Sequence, residues 1–422
     1  MNQQSTASDL LYSLLKSAGG TPRIYLASGP AEPTFLADIF TQNPDLADGA
    51  TFVGHWLPGI NRTAWAGIHP NARAEGAFLY KEHRESYDAG RFRLLPLHYS
   101  LAYDWLKTVP LDAAFIPVTP PDVKGEVSLS LASDMSPALV DRTDIRRIAL
   151  IRPAMPAPVA GPRIPLSAFS DTIEDETALI TLADPPLSED AIAIASHVAS
   201  LLGDGFTVQS GVGSVQQMAM QAAAKHQNIR IHTGMVSGAL MDALKSGAIS
   251  DAPGAITTGT AIGEQDLYDQ VAADPRFRFE PVTITHSVSY MAGIPHLATI
   301  NGGIEVDLFG QLNSEWVNGR QVASTGGLGN FARAAQLSPG GRSIIALPAT
   351  ARGGKISRIT AQLSTPTVTL GRADAGFVVT EYGIADLATA DIDQRAERLI
   401  AIAAPEFQIQ LANDWARIRA AI

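Results

Sequence analysis

A glycine-rich segment at residues 324–331, Ser-Thr-Gly-Gly-Leu-Gly-Asn-Phe, carries residue types that suit a ligand site. Three glycines in four residues let the backbone approach a ligand closely and present N–H groups to it. Carboxylates flank this segment in the sequence at Glu305 and Glu381, and cations follow it at Lys355 and Arg358. Together these groups are what a site for a thioester with a phosphorylated portion requires.

Two other turns carry glycines after predicted strands. Ser28 and Gly29 follow an apolar run, and Gly211 and Gly213 separate a predicted strand at 206–210 from a predicted helix. Glycines at a strand-to-helix turn commonly provide positive φ and close packing, and they also occur where a backbone contacts phosphate. The residues alone leave both interpretations open.

The composition excludes several classes of function. With no cysteine, the chain has no disulfide, no thiolate zinc site and no cysteine nucleophile. The net charge of −11, from 31 basic and 42 acidic residues, disfavours a nucleic-acid partner. No stretch approaches the roughly 20 apolar residues that cross a bilayer, and the N-terminal segment lacks a basic region typical of a signal peptide. We therefore expect a soluble, cytoplasmic protein.

The elements that must position these residues follow the pattern of an α/β fold. Apolar runs at 24–27 and 113–118 alternate with longer helical stretches, as in β-α units around a buried sheet. A further strand is predicted at 178–182, after a proline-rich segment at 153–165. The β-turn-α unit beginning near 206 opens a second domain. We therefore predict two domains, 1–188 and 189–422.

Several motifs occur in an order and spacing that is specific. The C-terminal third contains INGGIEVDLFGQLNSE (300–315), GGLGNFARAA (326–335), GGRSIIALPAT (340–350), GGKISRI (353–359) and VTEYGIADL (379–387). The N-terminal half adds PPDVKGEVSL (120–129). These segments resemble the acetyl-CoA hydrolase/transferase family, which includes 4-hydroxybutyrate and succinyl-CoA:acetate CoA-transferases. The likeness spans nearly the whole chain.

The resemblance implies the CoA-transferase fold: two similar open α/β domains facing each other across a cleft. It implies that Gly327 supplies a backbone N–H to the thioester oxyanion, that Ser28 faces it from the first domain, and that Glu381 is a supporting carboxylate. The substrate would be an acyl-CoA, with no metal, and the protein would be a homodimer. The residues expected to contact CoA are Gly211, Gly213, Gly326, Gly327, Gly329, Lys355 and Arg358.

One position departs from the family pattern. Family members carry a glutamate in a segment resembling His-Thr-Glu-Met, and this carboxylate forms the glutamyl-CoA intermediate. Here the segment reads His232-Thr233-Gly234-Met235. Glycine cannot be a nucleophile, and it leaves room for water or a bulkier acyl group. The family's asparagine is also missing near Thr285-His286-Ser287.

Three hypotheses follow from this departure. The first is an acyl-CoA hydrolase that cleaves the thioester, or a C–C bond β to it, with water activated by a cleft residue such as His286 or His232. The second is a CoA-transferase whose nucleophile is another carboxylate, Glu305 or Glu315. The third is a non-catalytic acyl-CoA-binding protein. The retained glycine loop favours an enzyme, because donors aimed at a developing charge have no use in passive binding.

Overall fold

The computed structural model describes residues 3–422, which form two compact units. The first unit runs to Leu182 and also includes Thr257–Thr285 and Val322–Gly326. The second unit consists of Ala183–Ile256, His286–Gln321 and Gly327–Ile422. The predicted division into 1–188 and 189–422 stays a prediction.

The first unit is built on a parallel sheet of seven strands. In chain order these are β1 (Arg23–Leu26), β2 (Thr51–Val53), β3 (Arg73–Gly76), β4 (Phe92–Leu94), β5 (Ala113–Val118), β6 (Arg146–Ile151) and β7 (Asp171–Glu174). They lie in the order β4-β3-β2-β1-β5-β6-β7. All six residues of β5 are buried, as expected for a central strand covered on both faces.

The centre of this sheet contains a proline, Pro117, which lacks the N–H that a central strand normally donates. β1 pairs with β5 only from Ala113 to Phe115, so Pro117 lies beyond the end of β1. On its other side Pro117 stays in register with Leu150 of β6. The sheet therefore tolerates this proline where β1 has already ended.

The two faces of this sheet bury separate cores. Ile24 and Leu26 of β1 belong to one buried cluster and Tyr25 belongs to another, as the alternation of side chains along a strand requires. The helices of this unit are Gln3–Ser17, Thr34–Gln42, Arg84–Asp88, Tyr99–Leu106, Pro137–Val140, Gln265–Ala273 and Val282–Thr285. Its short strands outside this seven-stranded sheet include Glu126–Val127, Ile164–Pro165, Thr260–Ile262 and Phe277–Phe279. The strand Ile256–Thr258 begins at Ile256 of the second unit and continues into Thr257–Thr285 of the first unit.

Six strands of the second unit also lie side by side. They are β8 (Thr207–Ser210), β9 (Arg230–His232), β10 (Leu297–Gly302), β11 (Arg342–Ala346), β12 (Phe377–Thr380) and β13 (Gly383–Asp386), in the order β9-β8-β10-β11-β12-β13. The pairs are parallel except for the β12–β13 hairpin. Both units thus combine parallel strands with helices, and the predicted α/β class is confirmed.

Helices of the second unit begin at sequence signals. Ser188 caps the first of them by accepting a hydrogen bond from the Ala191 N–H at 3.3 Å, and Asp391 forms a capping box with Gln394. Pro405 begins the last helix, where a missing N–H costs nothing. The helices are Glu189–Ser200, Ser214–Ala223, Leu240–Lys245, Val288–Ala292, Leu328–Leu337, Ile392–Ala401 and Pro405–Arg419.

Short strands complete the second unit. They are Met235–Ser237, Glu305–Asp307, Leu312–Asn313, Trp316–Val317, Arg320–Gln321, Thr350–Ala351, Ile356–Ser357 and Ile359–Thr360. One predicted strand was wrong: residues 178–182 form no strand, and these residues are exposed or half-buried, with single backbone bonds from Ile180 to Pro30 and from Leu182 to Gly263. In residues 3–422, no helix is long and apolar enough to cross a membrane.

Candidate active site

Each sheet has a point at which the strand order reverses, and a glycine turn lies there in both units. In the first unit the chain moves outward from β1 in one direction and returns to place β5 on the other side of β1. In the second unit β9 and β10 flank β8 in the same way. Ligands of open α/β sheets bind outside the carboxyl ends of strands at such points. Ser28 follows β1 and Gly211 follows β8, so the sequence placed both turns correctly.

The turn after β1 is held by a buried polar network. Asn61 accepts a hydrogen bond from the Gly29 N–H at 3.0 Å and donates to the Gly29 carbonyl at 2.9 Å. The Glu32 carboxylate accepts from Asn61 at 3.1 Å and from the Trp65 indole at 3.0 Å. Burial raises the pKa of Glu32, although these donors oppose the shift. The network fixes the backbone around the buried Ser28.

The turn after β8 provides backbone groups at the start of a helix. Gly213 has φ +73° and immediately precedes helix Ser214–Ala223, a conformation that favours glycine. The Gly211 N–H donates to the Ile300 carbonyl at 2.8 Å. A methyl group on Gly211 would lie 3.3 Å from Oδ1 of Asn301, whose amide pairs with Gln209. The turn is therefore tightly packed, and Gly213 lies at the helix N-terminus.

Gly327 occupies the N-terminal cap of helix Leu328–Leu337 in the second unit. Within residues 3–422, its N–H makes no hydrogen bond to a protein group. A helix N-terminus carries unpaired N–H groups and a partial positive charge, which stabilise a negative charge on a ligand. Gly329 lies in the first turn of the same helix. Gly326 belongs to the first unit, where its carbonyl accepts from the Tyr99 N–H at 3.0 Å.

The imidazole of His286 lies against two glycines of the second unit. A methyl group built on Gly234 would lie 2.5 Å from Cε1 and 2.8 Å from Nε2 of His286. A methyl group built on Gly327 would lie 2.6 Å from Cδ2 and 2.8 Å from the same Nε2. Because carbon atoms pack at about 3.5–4.0 Å, neither glycine accommodates a side chain while this ring stays in place. The ring thus fills space beside Gly234 that the sequence suggested was open to water or substrate.

Aromatic rings surround this histidine. His286 is 4% exposed, and the Phe331 ring packs against it with ring centroids 4.6 Å apart. Burial, with a further contribution from His232, lowers the pKa of His286 to about 3, so its ring is neutral. His232, also 4% exposed, stacks on the half-exposed Tyr290 with centroids 5.6 Å apart. Sequence reasoning missed Phe331 and Tyr290; the position of Phe331 four residues after Gly327 in a helix was the available signal.

Two of the predicted residues meet around the backbone of Ala349. The Glu381 carboxylate accepts from the Ala349 N–H at 2.8 Å, and the Arg358 N–H donates to the Ala349 carbonyl at 2.8 Å. Burial lowers the pKa of Arg358, and the nearby Glu381 opposes that shift. The Arg358 guanidinium also donates to the carbonyls of Gly303 and Ile304. Glu381 and Arg358 therefore hold the loop after β11, whereas Lys355 is exposed.

The other two predicted carboxylates already have partners. Glu305 accepts from the Asn313 amide at 3.1 Å. Glu315 is 5% exposed and accepts from the Thr369 hydroxyl at 2.9 Å and from the Gln321 amide at 3.4 Å. These bonds are typical of structural carboxylates. In the described part of the chain, no group of three or more His, Asp and Glu side chains is arranged to hold a metal ion.

Comparison with known proteins identifies the family of this chain. Residues 263–415 match the family model of the acetyl-CoA hydrolase/transferase C-terminal domain. A 4-hydroxybutyrate coenzyme A transferase of Clostridium kluyveri is 31% identical over 403 residues, covering 93% of both chains. The chain belongs to the acetyl-CoA hydrolase/transferase family. It is an acyl-CoA-utilising enzyme, which confirms the predicted family and the prediction of an enzyme.

Solved structures agree with this assignment. RipA from Yersinia pestis superposes with a TM-score of 0.84 at 26% identity, covering 97% of both chains. A 4-hydroxybutyrate CoA-transferase from Porphyromonas gingivalis gives a TM-score of 0.79 at 25% identity and covers 99% of this chain and 97% of its own. The predicted CoA-transferase fold is therefore confirmed.

Proposed function

We propose that this family member hydrolyses an acyl-CoA thioester by direct attack of water, without a glutamyl-CoA intermediate. The observation that carries the proposal is the position of His286, whose ring lies against Gly234 where a nucleophilic side chain would start. A carboxylate attached to residue 234 would have to displace this buried ring. Residue 234 therefore has no room for a nucleophilic side chain while the ring stays in place. The other buried imidazole of the second unit, His232, suits proton transfer to and from water.

The reaction proceeds in two steps. The water oxygen bonds to the thioester carbonyl carbon, the carbonyl electron pair moves onto oxygen beside the Gly327 N–H, and one water proton passes to His232. The C–S bond then breaks, and CoA leaves as the thiol after taking that proton. The acid product loses its remaining proton to solvent.

The other predicted residues keep supporting roles in this proposal. Ser28 contributes a hydroxyl, and Glu381 holds the loop after β11 through the Ala349 N–H. CoA binds through backbone groups of glycine turns and through cations that meet its phosphates. The residues proposed to contact CoA are Gly211, Gly213, Gly326, Gly327, Gly329, Lys355 and Arg358.

CoA transfer is the second candidate function, because the relatives favour it by name. They include a 4-hydroxybutyrate coenzyme A transferase and a butyryl-CoA:acetate CoA-transferase. In this chain Glu305 or Glu315 would have to replace the missing nucleophile. Each would first lose a hydrogen bond, from Asn313 or from Thr369.

Release of free CoA separates these functions. Because the chain has no cysteine, a thiol reagent reports CoA without background from the protein. Acetyl-, butyryl-, 4-hydroxybutyryl- and succinyl-CoA are each incubated with the enzyme, with and without acetate. A hydrolase releases CoA from at least one substrate without acetate. Conversion of another acyl-CoA to acetyl-CoA only when acetate is present, with no thiol released, supports the transferase. Cleavage of a β C–C bond would need a substrate with a β-carbonyl group, such as a 3-ketoacyl-CoA, and would leave a shorter acyl-CoA and no thiol.

A cytoplasmic location and a homodimer also stay predictions for this enzyme. Light scattering coupled to size-exclusion chromatography measures the oligomer directly. A mass near that of a single 44.6 kDa chain would contradict the dimer.

A further inference from the structure

The two buried histidines of the second unit, His232 and His286, have different surroundings, which suit them to different roles. Nε2 is the atom of His286 that lies near both Gly234 and Gly327. Gly327 carries the N–H proposed to hold the thioester oxygen. The ring edge that bears Nε2 therefore faces the same backbone that begins the helix.

The ring has little tendency to take up a proton. It is 4% exposed, and Phe331 covers it at a centroid distance of 4.6 Å. Burial and His232 keep the pKa of His286 far below its usual range, so an imidazolium is costly here. Neutral imidazole is a weak base at this site, but it still carries one N–H that can donate a hydrogen bond.

We propose that His286 acts as a neutral hydrogen-bond donor to the thioester oxygen, through Nε2–H and alongside the Gly327 N–H, while His232 is the base that receives the proton of water. This assignment rests on the proposed hydrolysis. It places two donors at the oxygen on which negative charge develops, and such donors act most strongly where water is excluded. A neutral histidine donor also avoids placing a second positive charge beside His232.

The chemistry is then divided between the two rings. When water adds to the carbonyl carbon, its proton passes to the neutral ring of His232, and the oxyanion accepts hydrogen bonds from His286 and Gly327. When the C–S bond breaks, the proton on His232 passes to the CoA thiolate. His286 keeps its own proton throughout the cycle.

Paired substitutions test this assignment, because glutamine donates a hydrogen bond but cannot act as a base at neutral pH. Thiol release should fall by less than about 10-fold in His286→Gln and by roughly 10²–10³-fold in His286→Leu. His232→Gln and His232→Leu should both lose roughly 10²–10⁴-fold. The matched control is the pair His197→Gln and His197→Leu, on helix Glu189–Ser200, which should not differ.

A spectroscopic measurement does not depend on turnover. A ketone analogue of acyl-CoA, with CH₂ in place of the thioester sulfur, is bound to each variant, and its carbonyl stretch is recorded by infrared difference spectroscopy. The stretch should shift to lower frequency in the wild type and in His286→Gln, and return toward the solution value in His286→Leu. An unchanged shift in folded His286→Leu, or equal inactivity of the two His286 variants, would overturn the donor role. Absence of wild-type hydrolysis would refute the proposed function, yet the carbonyl shift would still report on His286.

Discussion

Glycines of the two units are held in place by different interactions. In the first unit, Asn61 fixes the turn by accepting a hydrogen bond from the Gly29 N–H and donating to the Gly29 carbonyl, and it also donates to the buried Glu32 carboxylate. In the second unit, the imidazole ring of His286 packs directly against both Gly234 and Gly327. The turn in the first unit therefore depends on hydrogen bonds that satisfy buried polar groups, whereas the packing in the second unit depends on the absence of side chains at two glycines.

The largest expected effect concerns the N–H of Gly327. Both Gly327→Ala and Gly327→Pro bring atoms against His286, but only proline removes the N–H. We expect kcat for thiol release to be lower in Gly327→Pro than in Gly327→Ala by roughly 10²–10³-fold. Equal rates in the two variants, both checked for folding by circular dichroism, would remove this N–H from the mechanism.

The next effect tests the polar network of the first unit. Asn61→Leu leaves the buried N–H of Gly29 and the half-buried N–H of Leu57 without their acceptor, so we expect a loss of about 2–3 kcal/mol in the free energy of unfolding. Asn71→Leu serves as the control, because Asn71 is exposed and should change stability by less than about 0.5 kcal/mol. Urea denaturation measures both. Similar small losses would show that the network does not hold the turn.

A buried histidine of the first unit, His83, makes the stability of the folded chain depend on pH. Burial lowers the pKa of His83 to about 4, from an ordinary value of 6.5, and both of its ring nitrogens are buried with no hydrogen-bond partner among residues 3–422. The unfolded chain therefore binds a proton as the pH falls below 6.5 while the folded chain does not, and stability falls between pH 6.5 and 4.

His83→Leu should remove part of this loss, on the order of 2 kcal/mol between pH 7 and pH 4.5, with little change at pH 8. Urea denaturation at each pH compares the variant with the wild type. His83→Leu should therefore change stability at acid pH and leave the turnover rate at the wild-type value. If the unfolding free energy of the variant fell with decreasing pH as steeply as that of the wild type, the neutral, buried state of His83 would be contradicted.

The smallest expected effect tests the packing around Gly234. Gly234→Ala should cost about 1–2 kcal/mol of unfolding free energy, because the added methyl group overlaps His286. In a His286→Ala background the same change should cost less than about 0.5 kcal/mol, and the difference is the coupling energy of the pair. Additive losses would show that the ring does not occupy this space in solution.

The sequence predicted features formed by neighbouring residues, but it did not predict contacts between residues that are distant in the chain. The strand at 113–118 and the turn at 211–213 follow from apolar runs and glycines that lie close together in the chain. The contacts of His286 with Gly234 and of Asn61 with Gly29 join distant segments, and no spacing rule predicts them.

The wrong strand at 178–182 has a similar physical origin. Its apolar residues satisfy a strand pattern, but the segment is mostly exposed and is outside the named strands that form either main sheet. Conversely, Gly234 was singled out because a motif lacked its glutamate, while the ring that fills the neighbouring space could be found only in three dimensions.

A single turnover in ¹⁸O-labelled water tests the central claim most directly. With enzyme in excess over acyl-CoA, direct attack by water places one ¹⁸O atom in the acid product, and mass spectrometry of that product measures it. In a glutamyl-CoA route the acid takes an oxygen from the enzyme carboxylate, and solvent oxygen enters the protein instead. We predict a singly labelled acid and an unlabelled protein. An unlabelled acid, with ¹⁸O on a peptide containing Glu305, Glu315 or Glu381, would contradict direct hydrolysis.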